Sequence, residues 1–246
     1  MLKGKTAVIT GCLQGIGQET MRVFAKNGCN IFACAYKKTD EFETEIKELQ
    51  EKYDVDILPV YFDMFDNDSI KMAAREIQKA KRPIDILVNI AGITRDAIFQ
   101  MVTMEQMQET FQVNFFSQIL LSQYIVKLML RNGKGSVIFT SSITGMDGNT
   151  GQLSYGASKA AIIAAMKTMS EELGPKGIRV NAIAPGVIKT PMTEVLDEKV
   201  IEEKLKDSKL HRMGTSEEVS NLIMYLASDL SDYVTGQIIR VDGGIG

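Results

Sequence analysis

Short, near-continuous apolar runs alternate along this chain with longer stretches whose apolar residues recur at helical spacing. The runs Lys5–Thr10, Asn30–Ala35, Val55–Phe62, Ile84–Asn89, Ser136–Ser141, Ile178–Ala184 and Gln237–Val241 read as strands. Their nearly unbroken apolarity is that of strands covered on both faces, where no side faces water. Helical patterns lie between them. The first passes through Met21, Phe24 and Ala25 and stops at Asn27-Gly28; others span Asp40–Lys52, Asn67–Lys81 and residues 104–131. A further pattern runs from Tyr155 to a stop at Leu173-Gly174-Pro175. The last covers Ser216–Ala227, with Ser216 expected as N-cap and Glu217 and Glu218 in the first turn. Strict alternation of this kind predicts an α/β fold with a parallel sheet and helices on both faces. With no linker, repeat or low-complexity stretch, residues 1–246 are expected to form one domain.

Composition narrows the classes of function. A formal net charge of −3 argues against general affinity for nucleic acid. The three cysteines, Cys12, Cys29 and Cys34, have no metal-ligand spacing, and His211 is the single histidine, so a zinc mechanism is not expected. The cysteines read as reduced, small apolar residues of a cytoplasmic protein. No signal peptide is evident, and no uninterrupted apolar stretch approaches the roughly 18 residues of a membrane span. The charged segment 191–213 has apolar positions at Met192, Val195, Leu196, Val200, Ile201 and Leu205. It reads as a mobile amphipathic insertion, with His211 a surface or packing residue.

Candidate chemistry sits where strands end. After the first strand comes Gly11-Cys12-Leu13-Gln14-Gly15-Ile16-Gly17, which opens a helix. Glycines let backbone approach a pyrophosphate, and the helix start offers free N–H groups and the positive end of its dipole. The second strand ends in Ala35-Tyr36-Lys37-Lys38, where an acid would be expected for an unphosphorylated ribose. No acid stands there to repel a 2′-phosphate and two lysines are available to pair with one, which favours NADP(H) and leaves NAD(H) open. Asp63 closes the third strand, where it could accept from an adenine amino group or simply end the strand. Asn89-Ile90-Ala91-Gly92 leaves the fourth, at the ligand crevice of a doubly wound sheet. Asn114 interrupts an apolar helix with an amide that needs partners.

The fifth strand delivers Ser142 at its carboxyl end, and a glycine-rich loop then leads to Tyr155 and Lys159. Four residues apart on a helix, those two side chains share a face. An ammonium beside a phenol favours the phenolate and lowers a pKa that is ordinarily near 10. The pair is a candidate tunable general acid.

Thr10-Gly11-x-x-x-Gly15-x-Gly17, Asn89-x-Ala91-Gly92, Asn114, Ser142, Tyr155-x-x-x-Lys159 and Pro185-Gly186 occur in the order and at the intervals of the short-chain dehydrogenase/reductase family. The resemblance covers essentially the whole chain. Arg212-Met213-Gly214 and Val241-Asp242-Gly243-Gly244 look most like the 3-oxoacyl-[acyl-carrier-protein] reductases within it. It implies a doubly wound Rossmann-type sheet of about seven strands, with a substrate lid over 188–213. Tyr155 would protonate the substrate oxygen, Ser142 would hold it, Lys159 would lower the Tyr155 pKa and bind the nicotinamide ribose, and Asn114 would anchor a relay water. Thr10, Gly11, Gln14, Gly15, Ile16, Gly17, Tyr36, Lys37, Asp63, Asn89, Ala91, Gly92, Tyr155, Lys159, Pro185, Gly186, Ile188 and Thr190 would line the cofactor.

Departures from the family pattern shape these expectations. Ile90 replaces a frequent second Asn, and Gln14 stands where many NADP-using members carry Arg, so a 2′-phosphate would rest on Tyr36, Lys37 and Lys38. Carrier docking would use Lys176 with Arg131 and Lys134, since Gly133 stands where another basic residue is often found. The resemblance also implies a homotetramer built through helices 104–131 and 154–173. A sugar, polyol or other alcohol dehydrogenase with the same quartet is the runner-up. A non-catalytic dinucleotide sensor is the alternative from another class.

Overall fold

The computed structural model describes residues 1–194, 201 and 205–245. Seven parallel strands form one sheet in the order β3-β2-β1-β4-β5-β6-β7. They are β1 Thr6–Thr10, β2 Asn30–Ala35, β3 Ile57–Tyr61, β4 Ile86–Asn89, β5 Gly135–Thr140, β6 Ile178–Pro185 and β7 Ile238–Val241. Helices α1 (Gly15–Lys26), α2 (Asp40–Tyr53) and α3 (Asn67–Lys79) follow the first three strands. Then come α4 (Met104–Phe111), α5 (Ser117–Asn132), α6 (Thr144–Asp147), α7 (Leu153–Leu173), α8 (Pro191–Glu194) and α9 (Ser216–Ala227). Two apolar cores flank the sheet. One packs Met21 and Phe24 of α1 and Ile223 of α9 against Ile9 and Ile31; the other packs Ile70, Ile125 and Met166 against Val8 and Val137. Neighbouring strand residues thus feed opposite cores, which is why the strands read as continuous apolar runs.

The helical pattern over 104–131 is not one α-helix. A π-helical turn, Gln112–Phe116, separates α4 from α5 and holds Asn114 within it. Apolar residues continue on both sides of that turn, so periodicity carries no sign of it; such turns recur at functional sites. By length and mean hydropathy (1.3), Met104–Asn132 is apolar enough for a membrane span, a property an uninterrupted-run criterion misses. Half of the qualifying stretch is buried within this fold, with Leu121, Ile125 and Met129 packed in the core beneath α3 and α7. The N-cap of α9 is Thr215 rather than Ser216. The Thr215 hydroxyl accepts from Glu218 N while Glu218 Oε2 accepts from Thr215 N, the reciprocal pair that defines a capping box.

All three cysteines are free and buried. His211 is exposed, at a positive φ of 50°. Of the segment 188–213, residues 195–200 and 202–204 lie outside the described residues, and the lid expectation with them.

Candidate active site

The sheet order reverses between β1 and β4, so the loops leaving these strands diverge and open a crevice at their carboxyl ends. Gly11 and Gly15 adopt φ values of 78° and 59°, which only glycine takes at no steric cost. A Cβ on Gly17 would stand 2.1 Å from Gly11 O, so helix and loop touch backbone to backbone. Helix α1 has no side-chain cap at Gln14 and no acid in its first turn. Helices α2, α3, α4 and α9, in contrast, are capped by Thr39, Asp66, Thr103 and Thr215. The start of α1 therefore keeps unpaired N–H donors facing the glycine cradle, and these residues fit a dinucleotide pyrophosphate. Gly17→Ala should weaken NADPH binding at least about tenfold, because inserting even one methyl into packed backbone costs about 1–3 kcal/mol. Titration of nucleotide fluorescence measures it; unchanged affinity would show that the cradle does not hold the phosphates.

The remaining cofactor candidates lie at or just after the carboxyl ends of β1, β2, β3, β4 and β6. Thr10 Oγ1 accepts from Ile90 N at 2.9 Å and Ala91 N at 3.1 Å, tying β1 to the Asn89–Gly92 loop. Ile16 is half-buried behind the cradle, and Gln14 is exposed. Pro185 O accepts from Ile143 N, and Gly186 packs so closely that a Cβ would lie 2.7 Å from Asp242 Cβ. Ile188 is buried, while Thr190 lies over Gly15. Just after β2, Tyr36 and Lys37 are exposed, with the Lys37 ammonium 5.2 Å above the Tyr36 ring. Lys38 pairs with Glu43 at 3.3 Å, leaving Lys37 as the one of the two with no ion pair among the described residues. Two candidates have structural work. Asp63 Oδ1 accepts from Phe65 N in a turn, and Asn89 is fully buried with its amide on Ser122 Oγ, turned toward α5.

Ser142, Tyr155, Lys159 and Asn114 converge at the carboxyl ends of β4 and β5. The α6 segment lies directly on α7: a Cβ on Gly145 would stand 2.8 Å from Lys159 Cβ, and one on Gly156 would stand 3.0 Å from Thr144 O. Glycines at both positions bring the Ser142 loop against the helix that carries Tyr155. Lys159 is 2% exposed; its Nζ donates to Thr140 O at 2.8 Å and lies 5.6 Å from the Tyr155 ring centroid. The Asn114 amide donates to Ile93 O and Ser158 Oγ, while its Oδ1 accepts from Ile93 N at 2.8 Å. Both amide hydrogens are engaged, so any water held by this side chain must donate to Oδ1.

The electrostatics differ from the expectation that Lys159 depresses the Tyr155 pKa. Burial pushes the phenol up to about 12, with a hydrogen bond from Ser142 opposing and the Asp96 carboxylate adding to the rise. Tyr155 still has an edge open to the crevice, where solvent moderates the effect of the crowded protein side. Burial alone brings Lys159 down to about 8. Its ammonium is aimed at a backbone carbonyl rather than at the phenol, which is why the attraction is weak. The protein alone thus holds Tyr155 in its acid form at neutral pH.

Sequence reasoning passed over several supports. Ser141 Oγ donates to Lys159 O, and Ser158 Oγ donates to Tyr155 O. Asp96 Oδ2 accepts from Gln152 Nε2 at 2.9 Å, pinning the loop after β4 to the residue that precedes α7. Small hydroxyl residues in a Ser-rich helix and one acid in a loop carry no periodic signal. A cavity of about 700 Å³ lies beside this clasp, walled by Ala97, Phe99, Gly148, Leu153 and Ala157, and none of the quartet lines it.

At the opposite, amino-terminal edge of the sheet, Lys134 pairs with Asp229 at 3.0 Å and Asp232 at 3.5 Å. Arg131 and Lys176 are exposed, with no ion pair among the described residues. Their turns touch, because a Cβ on Gly177 would stand 2.2 Å from Gly133 O.

A glycine cradle at the switch point, next to a hydroxyl pair and a buried lysine, defines a dinucleotide-dependent oxidoreductase. A family model described as enoyl-(acyl carrier protein) reductase matches residues 11–246. The 3-oxoacyl-[acyl-carrier-protein] reductase FabG of Thermotoga maritima is 42% identical over 246 residues, covering 99% of this chain and 98% of that protein. FabG of Aquifex aeolicus is 35% identical, again over 99% and 98%. A solved structure from Beutenbergia cavernae, described as an NAD(P)-dependent gluconate 5-dehydrogenase with bound NADP, superposes with a TM-score of 0.93 at 31% identity. That match covers 99% of this chain and 97% of that one. The chain belongs to the short-chain dehydrogenase/reductase family.

Proposed function

We propose that this protein reduces a 3-oxoacyl thioester, carried on acyl carrier protein or coenzyme A, to the 3-hydroxyacyl product with NADPH. The carrying observation is the Ser142–Tyr155–Lys159 arrangement beside the glycine cradle, in a chain whose 3-oxoacyl-reducing relatives match it end to end. NADPH, when bound, supplies the hydride for the substrate carbon. The protein's own work is placement and proton control. Ser142 and Tyr155 direct two hydroxyls at one oxygen, which suits the developing negative charge of a ketone under reduction. Tyr155, protonated at neutral pH, donates its proton to that oxygen. Lys159 keeps a positive charge beside the resulting phenolate and donates toward a ribose hydroxyl. Asn114 fixes the loop at Ile93 against this helix.

The Lys37 and Tyr36 pair supports NADPH, with the Beutenbergia neighbour's bound NADP consistent. NADPH and NADH oxidation should be compared side by side with acetoacetyl-CoA. NADPH is expected to be preferred at least about tenfold, the equivalent of one charge-assisted contact of about 1.4 kcal/mol. Preference for NADH would overturn the lysine argument and leave the catalytic one standing. The same structural likeness favours a second reading, a sugar-acid or polyol dehydrogenase. Turnover with gluconate and none with acetoacetyl-CoA would establish that reading instead.

Carrier docking is assigned to Arg131 and Lys176, with Lys134 contributing less because two acids already pair with it. Assembly as a homotetramer is supported by the unpartnered faces of α5 and α7, where Leu130, Ala160 and Ala164 are exposed. A cytoplasmic location accords with both readings.

A further inference from the structure

Gln118 opens α5, one helical turn beyond Asn114, and is completely buried. Its Nε2 donates to Ala91 O at 2.6 Å, while its Oε1 is buried with no hydrogen-bond partner among the described residues. That combination is costly. An unpaired buried amide oxygen forfeits about 1–3 kcal/mol, and an apolar side chain of similar volume, such as Met, would fill the space at no such cost. What glutamine supplies and methionine cannot is a donor for the Ala91 carbonyl.

Ala91 occupies a sensitive point. Its Cα and N lie 3.2 Å from where a Cβ on Gly11 would stand, so the loop after β4 is in direct contact with the glycine cradle. The following residue, Gly92, packs against Asn114 Oδ1 and Lys159 Nζ, at 3.1 Å and 3.5 Å from the place of its missing Cβ. Thr10 holds the two preceding N–H groups and Asn114 grips Ile93 on both its N–H and C=O. Gln118 holds the Ala91 carbonyl, which lies between those two clamps.

We propose that Gln118 is a positioning residue for dinucleotide binding, holding the Ala91 carbonyl so that the loop after β4 keeps its spacing from the glycine cradle. The inference rests on the dinucleotide reading of that cradle. Without the donor, Ala91 O must turn toward another partner, and the peptide plane beside the glycine cradle turns with it. Asn114 and Lys159, fixed by their own bonds, stay in place. The effect therefore falls on cofactor affinity rather than on the chemical step.

The test is Gln118→Met, read by three measurements. NADPH affinity without substrate, from nucleotide fluorescence, should fall about tenfold, the loss of one hydrogen bond of about 1.4 kcal/mol. Turnover at saturating NADPH and KM for acetoacetyl-CoA should stay within about twofold, and the Tm of the cofactor-free protein should hold or rise as the orphaned oxygen is removed. A purely structural glutamine predicts the reverse, a lowered Tm with unchanged affinity, and that result would overturn the proposal. Gln118→Asn keeps the amide but withdraws it by one carbon–carbon bond, so it should also weaken binding; wild-type affinity in that variant overturns the proposal even where Gln118→Met does not fold. If the wild-type protein itself binds neither NADPH nor NADP, the reading of the cradle fails first and the inference fails with it.

Discussion

Tyr155→Phe should lower the rate of acetoacetyl-CoA reduction by about a thousandfold, within the 10²–10⁴ range that a positioned general acid contributes. NADPH affinity should stay within a few-fold. The phenyl ring keeps the packing over Lys159 and removes only the hydroxyl, so the loss reports proton donation rather than collapse of the site. No neighbour can take over. Ser142 is a weak acid already accepting from Thr144 N, and Lys159 Nζ is directed to Thr140 O with its charge 5.6 Å from the ring centre. The sign of the pH dependence follows from the same environment. Tyr155 is raised to about 12, so any stability it contributes is complete below pH 10 and is lost as the pH rises through about 12. The acid form is therefore fully available at neutral pH, and the first group to titrate in the site is Lys159, near 8. Reduction by the wild-type enzyme should fall as pH rises through that value. Activity of Tyr155→Phe within a few-fold of wild type would remove the phenol from the mechanism.

The fold was legible because its strands are covered on both faces. A parallel sheet demands continuous apolar runs, and Val8 with Ile9, or Ile31 with Phe32, feed opposite cores, so the demand is written into adjacent residues. The glycines were legible for a related reason: Gly17 stands where no Cβ fits, and Gly11 and Gly15 take left-handed φ values that favour glycine. What escaped was set by three-dimensional closure. The π turn at Asn114 leaves no periodic trace because both neighbouring positions are apolar whichever way the helix winds. Gln118 carries no sequence signal of its own, because its contact exists only where the loop after β4 brings Ala91 O within 2.6 Å of the amide. The surroundings of Tyr155 escape the sequence for the same reason. Spacing on a helix places Lys159 beside Tyr155, but it cannot say that the ammonium turns to Thr140 O or that protein crowds the phenol.

Lys159→Met should lower turnover sharply and, at pH 7, leave a more stable protein. Burial lowers the lysine from 10.5 to about 8, so at neutral pH the folded state carries a charge that water would solvate better. The sign is that of a depressed base. Between about 8 and 10.5 the unfolded chain binds the proton more readily than the folded one, so stability gained from this site grows as pH rises through that window and is absent below it. Methionine matches the aliphatic stem and removes the charge, while the Thr140 carbonyl loses its donor at a cost of about 1–3 kcal/mol. Relief of the buried charge exceeds that cost by on the order of 1 kcal/mol, given 1.36 kcal/mol per pKa unit. A Tm raised by a few degrees at pH 7 is the expected reading, with the gain over wild type shrinking toward pH 10 as the native lysine discharges. Reduction should fall at least about a hundredfold, because the phenolate left after proton donation loses its neighbouring positive charge. A lowered Tm at pH 7 would mean that the ammonium stabilises the fold through the Thr140 bond rather than straining it. On the proposed mechanism, stability and catalysis pull in opposite directions at this position, the lysine being kept in a costly place for its charge.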